Sequence, residues 1–171
     1  MRRVFGITGW KNSGKTTLTE KLVTELVARG WAVSTVKHAH HDFDIDKPGA
    51  DSFRHRQAGA TEVAIVSGRR WALMHELRGE SEPTLDDILA RLAPSDIVLV
   101  EGYKREAHRK IEARRLEAKD RTPLSANDPN IVAIAADFTV EGETLPVFDL
   151  DDTKSIADFV ERSTGLVAQT K

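Results

Sequence analysis

The 171-residue sequence contains no cysteine. That excludes disulfide staples, iron–sulfur clusters and cysteine-ligated zinc, and it suits a reducing compartment. Net charge is nearly absent too, at -2 for 25 basic and 27 acidic residues. A global electrostatic pull toward nucleic acid or an anionic membrane surface is therefore not expected. No apolar run approaches the length of a membrane span. The short apolar stretch after Arg2 and Arg3 leads straight into glycine-rich sequence, so it reads as a first strand and not as a signal peptide. Repeats, low-complexity tracts and a domain linker are also missing. These absences leave one α/β domain over residues 1–171, expected in the cytoplasm, with neither nucleic acid nor membrane as a partner.

What is present alternates between strand and helix. Val4 to Thr8 reads as a buried strand. Thr16 to Arg29 reads as a helix, because Leu18, Leu22 and Leu26 recur every four residues and make one apolar stripe. Trp31 to Lys37 is a second strand, rich in β-branched residues. Asp51 to Ala58 reads as a short helix. Thr61 to Ser67 and Trp71 to Leu77 flank a glycine turn and predict an antiparallel hairpin. Thr84 caps a helix over Leu85 to Leu92. Ile97-Val98-Leu99-Val100 is uninterrupted and mostly β-branched, as central parallel strands tend to be. Lys104 to Arg121 is rich in charge and reads ambiguously, with room for a strand around Lys110 to Arg114; Ile131 to Ala135 and Pro146 to Phe148 read as further strands, and Ser155 to Glu161 as a last helix. The expected architecture is a three-layer P-loop nucleoside triphosphatase fold with a mostly parallel central sheet.

Gly9-Trp10-Lys11-Asn12-Ser13-Gly14-Lys15-Thr16 matches G-x-x-x-x-G-K-[ST] at every fixed position. About 0.005 chance matches are expected in a chain of this length. The motif also lies between a strand and an amphipathic helix, the context it demands. Glycines let successive backbone N–H groups turn inward toward phosphate, and the helix presents its positive end to the same anion. Lys15 is expected at the β- and γ-phosphates, with the Thr16 hydroxyl as a ligand of Mg²⁺. A second buried strand ending in an acidic residue completes such a site, and Glu101 after Val100 fits. Lys15 and Glu101 are the candidate catalytic residues.

The loop after the second strand carries His38, His40 and His41, then Asp42, Asp44 and Asp46. An EF-hand is excluded, because Lys47 holds the position that needs glycine and Phe53 the one that needs glutamate. The histidines raise a transition-metal site, although a polar substrate or partner loop is the favoured reading. The basic run of Lys104, Arg105, Arg109, Lys110, Arg114, Arg115, Lys119 and Arg121 reads by default as a solvated face, with an anion-binding surface as the sharper alternative.

Taken together, the loop from Gly9 to Thr17, Val36-Lys37-His38, His41-Asp42-Phe43-Asp44-Ile45-Asp46-Lys47-Pro48-Gly49, Asp51 to His55 and Val100-Glu101-Gly102-Tyr103-Lys104 resemble the molybdopterin-guanine dinucleotide biosynthesis protein B family. The resemblance runs from about Val4 to Asp137. It implies a dimeric GTP-binding adapter with weak GTPase activity. Such an adapter assists the guanylyltransferase that joins GMP to molybdopterin in making the molybdenum cofactor. By position, Gly9 to Thr17 would hold the phosphates of GTP, and Thr16 and Glu101 would serve Mg²⁺. Molybdopterin is a further candidate ligand. The Asn-Lys-x-Asp guanine motif is absent, and Asp137 is a candidate base reader beside its plainer reading as a strand-end carboxylate. A small-molecule kinase whose lid is Lys104 to Arg121 and a metallochaperone GTPase are the alternatives.

Overall fold

Apolar periodicity places one sheet at the centre of the chain. The structure, a computed structural model, describes residues 2–39 and 43–167. Its elements are β1 (Val4–Thr8), α1 (Lys15–Ala28), β2 (Val33–Lys37), α2 (Asp51–Gln57), β3 (Glu62–Val66), β4 (Trp71–His75), α3 (Leu85–Arg91), β5 (Ile97–Glu101), β6 (Lys110–Arg114), β7 (Ile131–Ala136), β8 (Val147–Asp149) and α4 (Thr153–Thr164). They form two compact units, Met1–His38 with Leu92–Lys171, and Ala39–Arg91.

The first unit is a six-stranded sheet in the order β2-β5-β1-β6-β7-β8, parallel at every pairing. β5 is buried along its whole length, which is why its sequence is a continuous apolar run. One face is covered by α1 and α4. Leu18, Leu22 and Leu26 of α1 meet Ile156, Ala157 and Val160 of α4 over Phe5, Ile7, Ile97, Leu99, Ile111 and Ala113. Arg29 ties the two helices at their rim, donating to Asp158 at 2.6 Å and Glu161 at 2.9 Å.

The opposite face at β6 is polar and is closed by irregular segments. Alternation along β6 sends Ile111 and Ala113 to the helices, and Lys110, Glu112 and Arg114 to the other side. There the Lys110 ammonium donates to Asp128 at 2.5 Å and to the Lys104 carbonyl at 2.9 Å. Glu112 accepts from the Leu124 and Ser125 backbone N–H groups and pairs with Arg114 at 2.8 Å. Arg114 also reaches Glu143 at 2.8 Å. The solvated-face reading of Lys110 and Arg114 is thereby corrected: both side chains are buried, and each charge is matched by a carboxylate supplied from a distant loop.

The second unit contains the antiparallel β3-β4 hairpin, as its spacing predicts. α3 opens with a reciprocal cap: the Asp87 N–H donates to the Thr84 hydroxyl oxygen, and the Thr84 N–H to the Asp87 carboxylate. Within this unit Arg56 of α2 gathers three carboxylates, Asp46 at 2.6 Å, Glu76 at 2.8 Å and Asp44 at 2.9 Å. The aspartates of the Asp44-Ile45-Asp46 segment thus hold an arginine, while Phe43 before them and Ile45 between them are exposed.

Candidate nucleotide site

β1 ends at Thr8 and the chain turns at once. Gly9 has φ +146, and a Cβ there would lie 2.3 Å from Ser13 Oγ and 2.6 Å from the Ala113 carbonyl. No side chain fits, so the loop can close only with glycine. Asn12 and Gly14 also have positive φ, at +63 and +90, and α1 starts at Lys15 with no side-chain cap at Gly14. The first-turn N–H groups of α1 therefore have no partner from their own cap residue, which is the arrangement that suits an anion. The Ser13 hydroxyl is buried in the same loop without a hydrogen-bond partner.

The Lys15 ammonium bends over this cradle and donates to the Trp10 carbonyl at 2.6 Å. Burial holds its pKa below the ordinary lysine value. Glu101 pulls it back up, and the like charges of Lys104 and Lys37 push it down further. The Thr16 hydroxyl donates to Glu101 Oε1 at 2.9 Å, and Lys37 Nζ lies 3.4 Å from that same oxygen. Because β5 pairs with both β1 and β2, the ends of all three strands deliver these groups to one place. A hydroxyl and a buried carboxylate beside an anion cradle are hard oxygen donors, the chemistry that suits Mg²⁺.

Lys11, Asn12, Thr16 and Thr17 are exposed on the loop and first turn. Trp10 is fixed by its indole N–H, which donates to the Thr122 carbonyl at 2.7 Å. Asp137 accepts from the Leu116 N–H at 2.8 Å and faces Arg115 Nε at 3.4 Å. In this structure it anchors the exit from β6. His38 packs its ring against Tyr103 at 4.7 Å. His40, His41 and Asp42 lie outside the described residues, and among the described residues no cluster of three metal-ligating side chains occurs.

Two residues of the basic run, Lys104 and Arg115, lie against the phosphate loop, a placement that the sequence does not assign to either. Lys104 lies with Nζ 4.0 Å from the Trp10 ring centroid. Arg115 runs its stem past Gly14, where a Cβ would meet Arg115 Cδ at 3.0 Å. Both follow the C-terminal ends of sheet strands, β5 and β6, the edge that faces ligand in parallel sheets, and that position is the signal a sequence can carry for them.

The sequence profile of the family described as molybdopterin guanine dinucleotide synthesis protein B matches residues 4–137. The chain belongs to this family. Within it, a molybdopterin-guanine dinucleotide biosynthesis adapter protein of Escherichia coli is 39% identical over 159 residues, spanning 92% of this chain and 90% of that protein. The adapter protein of Haemophilus influenzae is 40% identical over 161 residues, spanning 92% and 87%. Among solved structures, a MobB protein homolog from Bacillus stearothermophilus superposes with a TM-score of 0.73 at 34% identity, covering 96% of this chain and 99% of that one. Bacillus subtilis MobB, at 24% identity and a TM-score of 0.76, shares the fold. The expected P-loop fold with its parallel sheet is what these neighbours and the strand order display. Among the described residues no helix is long and apolar enough to cross a membrane.

Proposed function

We propose that this chain is a GTP-binding adapter with weak GTPase activity that assists guanylyl transfer to molybdopterin. The observation that carries the reading is the contact between Thr16 and Glu101 beside an uncapped phosphate loop, in a chain whose relatives are called adapter proteins of this pathway. Gly9 to Thr17 bind the phosphates through backbone N–H groups, and Lys15 supplies the neutralising charge. Thr16 and Glu101 hold the metal. Magnesium, when bound, draws charge from the outer phosphate oxygens. The partner is the guanylyltransferase, the working state is a cytoplasmic homodimer, and molybdopterin is the second ligand.

The kinase alternative loses its motivation. Its lid was to be Lys104 to Arg121, but Lys110 to Arg114 is a sheet strand, and Lys110 and Arg114 are already paired inside the fold. The metallochaperone alternative depended on His38, His40 and His41, two of which lie outside the described residues.

The test is a competition titration of GTP against ATP with Mg²⁺, run with and without the guanylyltransferase. GTP is expected to win clearly, and equal affinity for ATP would defeat the guanine assignment. Lys15→Ala is expected to cost about 2–3 kcal/mol of GTP binding, the worth of a charge-assisted phosphate contact. Unchanged affinity in that variant would move the phosphates elsewhere.

A further inference from the structure

Lys104 stands three residues beyond Glu101, yet its ammonium returns to the phosphate loop. Two consecutive left-handed residues make that return, Gly102 with φ +94 and Tyr103 with φ +47. Only glycine adopts such angles freely. A Cβ on Gly102 would also lie 3.0 Å from the His38 Cβ, and the Tyr103 ring packs on His38. The turn is thus wedged between the exits of β2 and β5, with Lys104 aimed back across them.

The target of that turn is Trp10, a loop residue whose ring is pinned by Thr122. Lys104 Nζ rests 4.0 Å from the ring centroid, while the Trp10 carbonyl holds the Lys15 ammonium at 2.6 Å. One loop residue therefore carries two lysines, one on its carbonyl and one on its ring, and Lys104 is close enough to oppose the charge on Lys15. Burial works against the Lys104 charge, with Asp120 and Glu112 supporting it; Glu112 is itself ion-paired to Arg114. Two like charges brought to one loop by a strained turn are relieved by an anion.

We propose that Lys104 is a second phosphate-facing lysine, positioned by the Trp10 ring to meet the terminal phosphoryl group of a bound nucleoside triphosphate. The inference rests on the phosphate-loop reading above and adds to it a source of discrimination. A diphosphate lacks the group that Lys104 meets, so Lys104 makes the site prefer GTP to GDP. It does in cis what a separate cationic finger does in trans.

Calorimetric titration of GTP and GDP, with Mg²⁺, into the full chain and its Lys104→Ala, Lys104→Met and Lys104→Arg variants tests this. The unmodified protein is expected to prefer GTP. Lys104→Ala and Lys104→Met are expected to lose about tenfold in GTP affinity while GDP affinity changes less than about twofold, the worth of one charged contact. Lys104→Met keeps an apolar stem on Trp10, so a loss shared by both variants reports the charge and not the packing. GDP affinity reports folding in the same samples, and Lys104→Arg is expected to retain the preference. An unchanged GTP-to-GDP ratio in the Ala and Met variants, an equal loss for both nucleotides, or no preference in the unmodified protein would overturn the assignment of Lys104 and leave the phosphate loop standing. Failure of the unmodified protein to bind either nucleotide would overturn the phosphate-loop reading itself.

Discussion

The Thr16 hydroxyl donates to Glu101 Oε1 at 2.9 Å, joining the first turn of α1 to the end of β5 across 85 positions of sequence. Glu101 is only 8% exposed, so its charge is held by Thr16 and Lys37 in place of water. Glu101→Gln keeps an oxygen that can accept from Thr16 and removes the charge that attracts a cation. The expected outcome is a drop of at least about tenfold in GTP hydrolysis with less than about threefold in GTP affinity, since positioning and charge stabilisation dominate phosphoryl transfer. Phosphate release measured over a Mg²⁺ series checks it. An unaltered Mg²⁺ dependence would remove Glu101 from the metal site.

Gly9 and Gly30 both have positive φ but differ in their surroundings. A methyl group at Gly9 meets Ser13 Oγ and the Ala113 carbonyl at under 3 Å, whereas one at Gly30 meets nothing within 4 Å. Gly30→Ala should cost about 1 kcal/mol from backbone strain alone. Gly9→Ala should cost about 2–4 kcal/mol and abolish nucleotide binding, because β1 and the loop must move apart. Thermal melts of the two variants make the comparison, and equal losses would contradict the close packing beneath the loop.

Glu112 is buried, and its removal leaves Arg114 and the Leu124 and Ser125 N–H groups without that carboxylate. Breaking one side of a buried pair typically costs about 3–5 kcal/mol. Glu112→Ala is expected to fall in that range by urea denaturation. The double variant Glu112→Met with Arg114→Met is expected to be more stable than the single one, because the charge left over, on Glu143, is less buried than the Arg114 guanidinium and still accepts from the Ser125 hydroxyl. A double variant no better than the single would show that the network does more than cancel its own charge.

His108 has both ring nitrogens buried without hydrogen-bond partners. Burial first, and the Lys110 ammonium second, push its pKa down to about 4, against a smaller opposing pull from Asp128. The folded state therefore favours neutral His108, while the unfolded chain protonates it near its ordinary value of about 6.5. Between those values the unfolded state binds more protons, so this contribution is whole above about pH 6.5 and is lost as pH falls toward 4. His108→Leu is expected to flatten the pH dependence of the melting temperature over that window and to raise stability at pH 5. Parallel melting curves for the two proteins would place the acid sensitivity at other groups.

Local chemistry made most of the fold legible. β1, α1, β5 and the β3-β4 hairpin follow, to within one or two residues at their ends, from apolar period and glycine turns, because burial on one face leaves a repeating mark in sequence. The phosphate loop is legible for the same reason: its anion geometry is made by consecutive backbone groups, so the residues that build it must be consecutive too. β6 was harder. Lys110, Glu112 and Arg114 look solvated in sequence, and their burial depends on Asp128, Ser125 and Glu143, which no local pattern ties to them.

The sequence by itself determined that a phosphate-loop motif lies between β1 and α1 and, through its longer motifs, which family the chain belongs to. Only the tertiary structure decided what surrounds that loop. Glu101 reaches Thr16, and Lys104 reaches Trp10, because parallel strands bring together chain segments that are far apart in sequence. Such contacts depend on strand order and on the angle of one turn after β5, and neither quantity is written in the neighbours of any single residue.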